Sequence, residues 1–153
     1  MNALTARVPR HIASLLALLA LLALLAPLAA TAAPGGATID LEVAGIAAPE
    51  GRLMVALYPS AERYRRDASE SRMLEPRAGT MRLRFDGLAP GEYAIAVFHD
   101  RNGNGRLDTN LMGIPTEPAA FSGSGAAFGA PSWPQASFRV ADDGARVLVR
   151  LPQ

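Results

Sequence analysis

Short segments in which apolar and polar side chains strictly alternate recur along the chain, and they restrict its possible folds more than any other feature. In the first segment Ile39, Leu41 and Val43 alternate with Asp40 and Glu42. Alternation is typical of a strand with one buried face, since successive side chains point to opposite faces. Similar segments follow at residues 81–85, 92–99, 138–140 and 147–151. The continuously apolar segment 53–58 predicts a central strand covered on both faces.

Turn signals between these segments predict how they connect. Asp86-Gly87 and Pro90-Gly91 separate segments 81–85 and 92–99, which we expect to pair as antiparallel neighbours. The turn Asp142-Asp143-Gly144 predicts a closing pair of strands. Residues 60–70, rich in Ala, Glu and Arg, predict a short surface helix. Five or more short strands, with no alternating βαβ units, predict an all-β fold: a single antiparallel β-sandwich with one long loop after the fourth strand, at residues 100–134.

The first 32 residues have the pattern of a secretory signal peptide. Arg7 and Arg10 precede an apolar stretch that begins at Ile12 and contains Pro27. Ala30-Thr31-Ala32 supplies small residues for cleavage after Ala32, and cleavage after Ala33 fits nearly as well. A retained membrane anchor is the alternative, because the apolar stretch approaches the length needed to span a bilayer. We therefore predict a signal peptide at 1–32, one domain at 33–153, a periplasmic or secreted location, and no stable membrane span after processing.

Composition excludes several classes of partner and site. The chain has no cysteine, which excludes disulfides and thiolate metal sites. Removal of Arg7 and Arg10 with the signal peptide would change the formal net charge from +1 to −1. We therefore expect no nucleic-acid partner, because no basic field remains. Arg63, Arg65 and Arg66 lie among acidic residues and indicate a solvated face of mixed charge rather than a phosphate site.

One loop contains the spacing of a calcium site. Oxygen-bearing side chains stand at relative positions 1, 3, 5 and 9, with glycine at position 6: Asp100, Asn102, Asn104, Asp108 and Gly105. These are the first positions of an EF-hand-type loop, in which the Arg106 carbonyl would also face the ion. Position 12 is Leu111, so a complete EF-hand is rejected, and Glu117, the nearest remote carboxylate, is predicted to supply the remote ligand. We predict Ca²⁺ binding by this loop; an Asx-rich turn without metal is the alternative.

Other polar and aromatic residues also suggest chemistry. His99, Asp100 and Ser122 could form the site of an envelope-associated hydrolase, although Ser122 and Ser124 lack the strand-to-helix context of a nucleophile elbow. A strand-end His99 bonded to backbone is the simpler interpretation. Aromatic side chains in the long loop could form a stacking platform or attach the loop to the sandwich, namely Phe121, Phe128 and Trp133.

Residues 91–140 resemble a known family in a specific combination of motifs. These are Gly91-Glu92-Tyr93, His99-Asp100, Asn102-Gly103-Asn104-Gly105, Leu107-Asp108-Thr109-Asn110, Gly113-Ile114-Pro115, Glu117, Phe121-Ser122 and Gly129-Ala130-Pro131. They resemble an uncharacterised secreted bacterial family, domain of unknown function 2141, over nearly all of the mature chain. The chain departs from the family pattern at Pro118-Ala119-Ala120. The resemblance implies an exported β-sandwich related in shape to transthyretin-like or carboxypeptidase-regulatory modules, and it implies no activity.

These observations predict an exported, non-enzymatic binding or interaction module with a calcium-ordered loop and an unknown envelope or extracellular ligand. The hydrolase using His99, Asp100 and Ser122 is the alternative. A third possibility is an envelope-associated structural component whose sheet edge pairs with another chain.

Overall fold

The computed structural model describes residues 35–123 and 129–152. The described chain forms eight strands and one short helix. The strands are β1 (Ala37–Ile46), β2 (Arg52–Tyr58), β3 (Glu70–Leu74), β4 (Gly79–Leu88), β5 (Gly91–Asp100), β6 (Ala119–Phe121), β7 (Phe138–Val140) and β8 (Ala145–Arg150); the helix α1 is Trp133–Ala136. The predicted signal peptide lies outside the described residues, as do Ser124 and Phe128.

Two sheets pack against each other. Sheet A has the order β4-β1-β8, and sheet B has the order β3-β2-β5-β6, with β7 also paired to β5. The inward side chains of both sheets form one core, in which Leu41 and Phe85 from sheet A meet Leu57 and Ile95 from sheet B. The predicted all-β sandwich is confirmed. Its pairing is not wholly antiparallel, because β8 runs parallel to β1. In the predicted strand segments 53–58, 81–85 and 92–99, the side chains that enter this core are all buried: Leu53, Val55, Leu57, Leu83, Phe85, Ile95 and Val97.

The predicted strand neighbours are wrong. β4 pairs with β1 in sheet A, whereas β5 pairs with β2 in sheet B. The chain crosses between the sheets through Ala89-Pro90, and the Tyr93 hydroxyl donates a hydrogen bond to the Ala89 carbonyl (2.9 Å). Strands β7 and β8 likewise belong to different sheets, and a single bridge between Ala141 and Gly144 joins them. Short turns here connect sheets instead of forming hairpins.

The helix predicted at residues 60–70 is also wrong. The chain makes consecutive turns, in which the Tyr64 amide donates to Ala61 and the Asp67 amide to Arg63. Arg65 has a φ of 59°, which ends any helical run. Residue 70 begins β3, a strand that the sequence did not predict. The long loop therefore follows the fifth strand rather than the fourth, and β6 interrupts it. β2 is central in sheet B, as predicted, but its outward face is only partly covered, since Met54, Ala56 and Tyr58 are half-buried.

Among the described residues, no helix has the length and apolar character required to cross a membrane.

Candidate functional site

The predicted calcium loop begins at the buried end of β5. Asp100 is the last residue of that strand, and its side chain is fully buried. The turn before β2 packs directly against this point: a Cβ atom at Gly51 would lie 2.0 Å from the Asp100 carbonyl oxygen. Glycine at position 51, which has a φ of 73°, is therefore required for the close approach.

The Asp100 carboxylate holds the loop in its curled shape. Its Oδ1 accepts hydrogen bonds from the amides of Gly103 (2.8 Å) and Asn104 (3.2 Å), and its Oδ2 accepts from the Gly105 amide (2.7 Å). Gly103 and Gly105 both have positive φ, which brings successive amides towards one point. The curl that the sequence spacing predicted is therefore present.

Three further predicted residues converge beside Asp100. The Asn102 side-chain amide donates to Asp108 Oδ2 (2.6 Å), and the Asn104 amide donates to Asp108 Oδ1 (3.0 Å). The side-chain oxygens of the two asparagines accept hydrogen bonds from backbone amides. Asn102 Oδ1 accepts from the Asn104 backbone amide (3.1 Å), and Asn104 Oδ1 accepts from the Arg106 backbone amide (2.8 Å). To bind a cation, Asn102 and Asn104 would have to turn their side-chain oxygens, instead of their NH₂ groups, towards Asp108.

Glu117 lies at the loop, as predicted, and contacts its backbone. Its Oε1 accepts from the Arg101 amide (2.8 Å) and its Oε2 from the Asp108 amide (3.1 Å). The Thr116 amide donates to the Asp108 carbonyl (2.8 Å). The buried carboxylate thus joins the two ends of the loop. Within residues 35–123 and 129–152, no cluster of three or more His, Cys, Asp or Glu side chains is arranged to hold a metal. A hard cation here would rely on the loop amides and carbonyls as well as carboxylates.

His99 and Ser122 occupy separate places in sheet B. The His99 Nε2 lies 2.8 Å from the Glu50 carbonyl, which fixes the proton on Nε2, and the buried Nδ1 has no hydrogen-bond partner among the described residues. Ser122 lies beside Ile95, four residues before His99, which is roughly 13 Å along an extended strand. The Asp100 carboxylate binds loop amides rather than His99. The structure does not bring these three side chains together.

The Ser122 hydroxyl completes the hydrogen bonding of β5. It accepts from the Ile95 amide (2.8 Å) and donates to the Ala136 carbonyl (2.6 Å), and its side chain is fully buried. On this edge β6 pairs with residues 96–98 and β7 pairs with residues 91–93. Ser122 fills the gap between them, so its hydroxyl satisfies buried backbone groups.

An aromatic cluster attaches the loop segment to sheet B. The Tyr64 ring makes edge-on contacts with Tyr58, Phe121 and Trp133, with centroid distances of 5.5, 6.3 and 5.7 Å. The Tyr64 hydroxyl donates to the Pro131 carbonyl (3.2 Å). Phe121 and Trp133 therefore help to attach the loop, one of the two predicted roles. This role of Tyr64 is not apparent from the sequence, because the composition of residues 60–70 predicts a surface helix.

A groove on the outer face of sheet B lies beside the calcium loop. One cross-strand row forms part of its lining, running from Ser71 through Ala56 and Ala96 to Phe121. Larger apolar side chains bound it, and two loop residues contribute to its wall: Met54, Tyr58 and Phe98, with Gly105 and Leu107. The groove has a volume of about 360 Å³, within the usual range of small-ligand sites.

Arg65 supplies the positive charge of this groove. It also lines the groove, and in the part of the chain that the structure describes no carboxylate forms a salt bridge with it. Its left-handed backbone is the one positive φ of a non-glycine residue in that part. Burial raises the pKa of Tyr58, and the nearby Arg65 charge opposes that rise. The groove therefore combines an apolar lining with an unpaired cation.

Comparison with known proteins gives a family and no individual relative. No curated protein matches the chain, and no solved structure matches it. The model of one family, an uncharacterised protein conserved in bacteria known as domain of unknown function 2141, matches residues 41–147. That match includes β2 to β7, parts of β1 and β8, the loop at Asp100, and Glu117. The chain therefore belongs to the domain of unknown function 2141 family, as its motifs indicated.

Proposed function

We propose that the protein is an exported, non-enzymatic binding module in which Ca²⁺ orders the loop at residues 100–108 and thereby fixes one wall of the groove on sheet B. One observation carries the proposal: Gly105 and Leu107, which belong to the loop, also line the groove. A cation that fixes the loop therefore also fixes the shape of the ligand site. Export is proposed from the signal-peptide pattern of residues 1–32.

The oxygen set in the loop supports a weak calcium site. Asp100, Asn102, Asn104 and Asp108 place oxygen-bearing groups around one curl, and the Arg106 carbonyl is the backbone donor expected from the spacing. Glu117, the predicted remote donor, also accepts a hydrogen bond from a loop amide at each of its oxygens, which keeps it beside the loop. With few carboxylates, we expect a Kd of ~10⁻⁴ to 10⁻³ M, the range of extracellular modules.

Thermal melts of the mature protein in EDTA and in millimolar Ca²⁺ test the site. At a calcium concentration a few times the Kd, binding adds ~1 kcal/mol to the free energy of unfolding, a shift of a few degrees. Asp108→Ala should abolish the shift, because it removes a ligand that makes no backbone-bracing contact with its side chain. Asp142→Ala, at an exposed acid in another turn, is the matched control. Identical melting temperatures in EDTA and in Ca²⁺, together with no heat on calcium titration, would mean that the loop is an Asx-rich turn that binds no calcium.

The groove favours a ligand with an apolar body and an anionic group. Its lining is mostly apolar, and Arg65 offers an unpaired charge for a carboxylate, sulfonate or phosphate. Anilinonaphthalene sulfonate, an apolar anion, is the probe. We expect Ca²⁺ to tighten its binding and Arg65→Asn to weaken it roughly threefold or more, as for a partly exposed charge pair. Asn tolerates the left-handed backbone, so this variant keeps the turn.

Arg66→Asn is the matched control, because Arg66 is exposed and does not line the groove. Nile red, which is apolar and uncharged, should bind the Arg65→Asn variant and the unmodified protein equally. If Arg65→Asn and Arg66→Asn weakened the sulfonate probe to the same extent, the assignment of Arg65 as the anion-binding group would fail.

A further inference from the structure

A short turn beyond the calcium loop exposes an unusual amount of apolar surface. Residues 110–114, named here the apolar tip, follow the loop. A bridge between Thr109 and Pro115, the residues on either side of the apolar tip, closes its base. Leu111, Met112 and Ile114 are 108%, 79% and 53% exposed. Within the described residues only Met73 and Leu148 are other large apolar side chains with comparable exposure. A cluster of three on one turn is typical of a contact surface.

The backbone of the apolar tip is largely satisfied within the turn itself. Asn110 Oδ1 accepts from the amides of Met112 and Ile114, both at 3.0 Å. The Asn110 amide donates to the Ile114 carbonyl, and the Gly113 amide donates to the Asn110 carbonyl, both at 2.9 Å. Four amides therefore need no outside acceptor. This arrangement suits entry into an apolar phase, where an unpaired amide is costly.

A bound Ca²⁺ would make the loop region beside the apolar tip more positive. The loop region (100–117) and the turn that packs against it (49–52) contain three arginines and four acids, namely Arg52, Arg101 and Arg106 with Glu50, Asp100, Asp108 and Glu117. The formal charge of this region is −1, and a bound Ca²⁺ would change it to +1. The three arginines are exposed, whereas Asp100 and Glu117 are buried. With the ion bound, the region is complementary to an anionic surface.

We infer that the apolar tip inserts Leu111, Met112 and Ile114 into an anionic lipid surface when Ca²⁺ occupies the loop. The inference rests on the proposed calcium site for its charge, and on the exposed side chains and internally bonded amides for its apolar part. Shallow insertion of a few apolar side chains, combined with attraction to anionic headgroups, gives reversible binding at a membrane surface.

Flotation with vesicles of phosphatidylglycerol and phosphatidylethanolamine tests the inference on the mature protein. We expect binding in Ca²⁺, and at least tenfold weaker binding both in EDTA and to vesicles of phosphatidylcholine alone. The triple variant Leu111→Ser, Met112→Ser, Ile114→Ser keeps every amide of the turn and should lose binding at least tenfold. The matched control, Met73→Ser, removes an exposed apolar side chain from β3, away from the apolar tip, and should bind normally.

Calcium titration of the same variants separates this inference from the proposed function. If the heat of calcium binding is unchanged in the triple variant while vesicle binding is lost, both are supported. If the protein takes up calcium but does not float with vesicles, the lipid inference is overturned and the calcium site stands. Equal flotation in EDTA and Ca²⁺ would overturn the calcium coupling. A calcium-dependent dimer that the triple variant abolishes would assign the apolar tip to a second copy of the chain and overturn lipid insertion.

Discussion

The outer faces of the two sheets differ sharply, although their inner faces contribute to one core. On sheet A the outward side chains are charged: Asp40 and Glu42 on β1 lie opposite Arg84 and Arg82 on β4. On sheet B the outward side chains are apolar or aromatic, as at Met54 and Phe98. The side chains at inward positions must be apolar because they form the core, whereas those at outward positions reflect what else each sheet contacts. Sheet A has a groove lined largely by charged side chains, whereas sheet B has the mostly apolar groove and the aromatic cluster.

The two outer faces should differ most in how much one of their side chains contributes to the free energy of unfolding. The two side chains compared are Tyr64, which packs on sheet B, and Arg84 on sheet A. Tyr64 contacts three aromatic rings and donates a hydrogen bond to Pro131. Tyr64→Ala should lower the free energy of unfolding by ~2 kcal/mol or more, less than the full cost for a completely buried aromatic residue, since Tyr64 is half-buried. Denaturant melts measure this change.

Arg84→Ala is the corresponding change on sheet A. Arg84 lies 2.8 Å from Asp86 and 3.8 Å from Asp40, and all three side chains are more than half exposed. Exposed ion pairs contribute ~0 to 1 kcal/mol and are screened by salt. We expect a change below ~1 kcal/mol that shrinks further in high salt. Equal losses for Tyr64→Ala and Arg84→Ala would contradict the contrast between the two faces.

Sequence patterns predicted which residues form strands and which faces they bury, because alternation is a local property. Period two identified the inward residues of the alternating segments, such as Leu83 and Phe85, whereas segment 53–58 is apolar throughout and predicted only a central strand. Strand neighbours were not predictable in this way, since β4 and β5 are close in sequence but lie in different sheets. The Tyr93 hydroxyl bond to Ala89 supports that crossing and depends on the folded backbone. Local patterns contain no such long-range information.

The loop shows the same division between local and distant information. The spacing from Asp100 to Asp108 predicted a curl, and the backbone amides of Gly103 and Gly105 do converge on Asp100. Composition at residues 60–70 predicted a helix, because Ala, Glu and Arg have high helix propensity. Packing of Tyr64 against rings from distant segments accompanies a turn instead. Propensity is a weak guide where one side chain joins a tertiary cluster.

The smallest expected effect is a change in tyrosine ionisation on sheet B. Burial raises the pKa of Tyr58 above its ordinary value of about 10, and the Arg65 charge opposes this rise. Because the pKa is raised in the folded state, the associated stability is fully present below about pH 10 and is lost as the pH rises through the folded value. Arg65→Asn should raise the pKa of Tyr58 further, since phenolate loses a nearby cation. Alkaline titration followed by NMR of the tyrosine ring carbons, with Tyr64→Phe for assignment, measures this change.

Arg66→Asn should leave the pKa of Tyr58 unchanged. If Arg65→Asn left the pKa of Tyr58 unchanged, the Arg65 charge would not lie at the groove. The proposed anionic group of the ligand would then have no binding partner there.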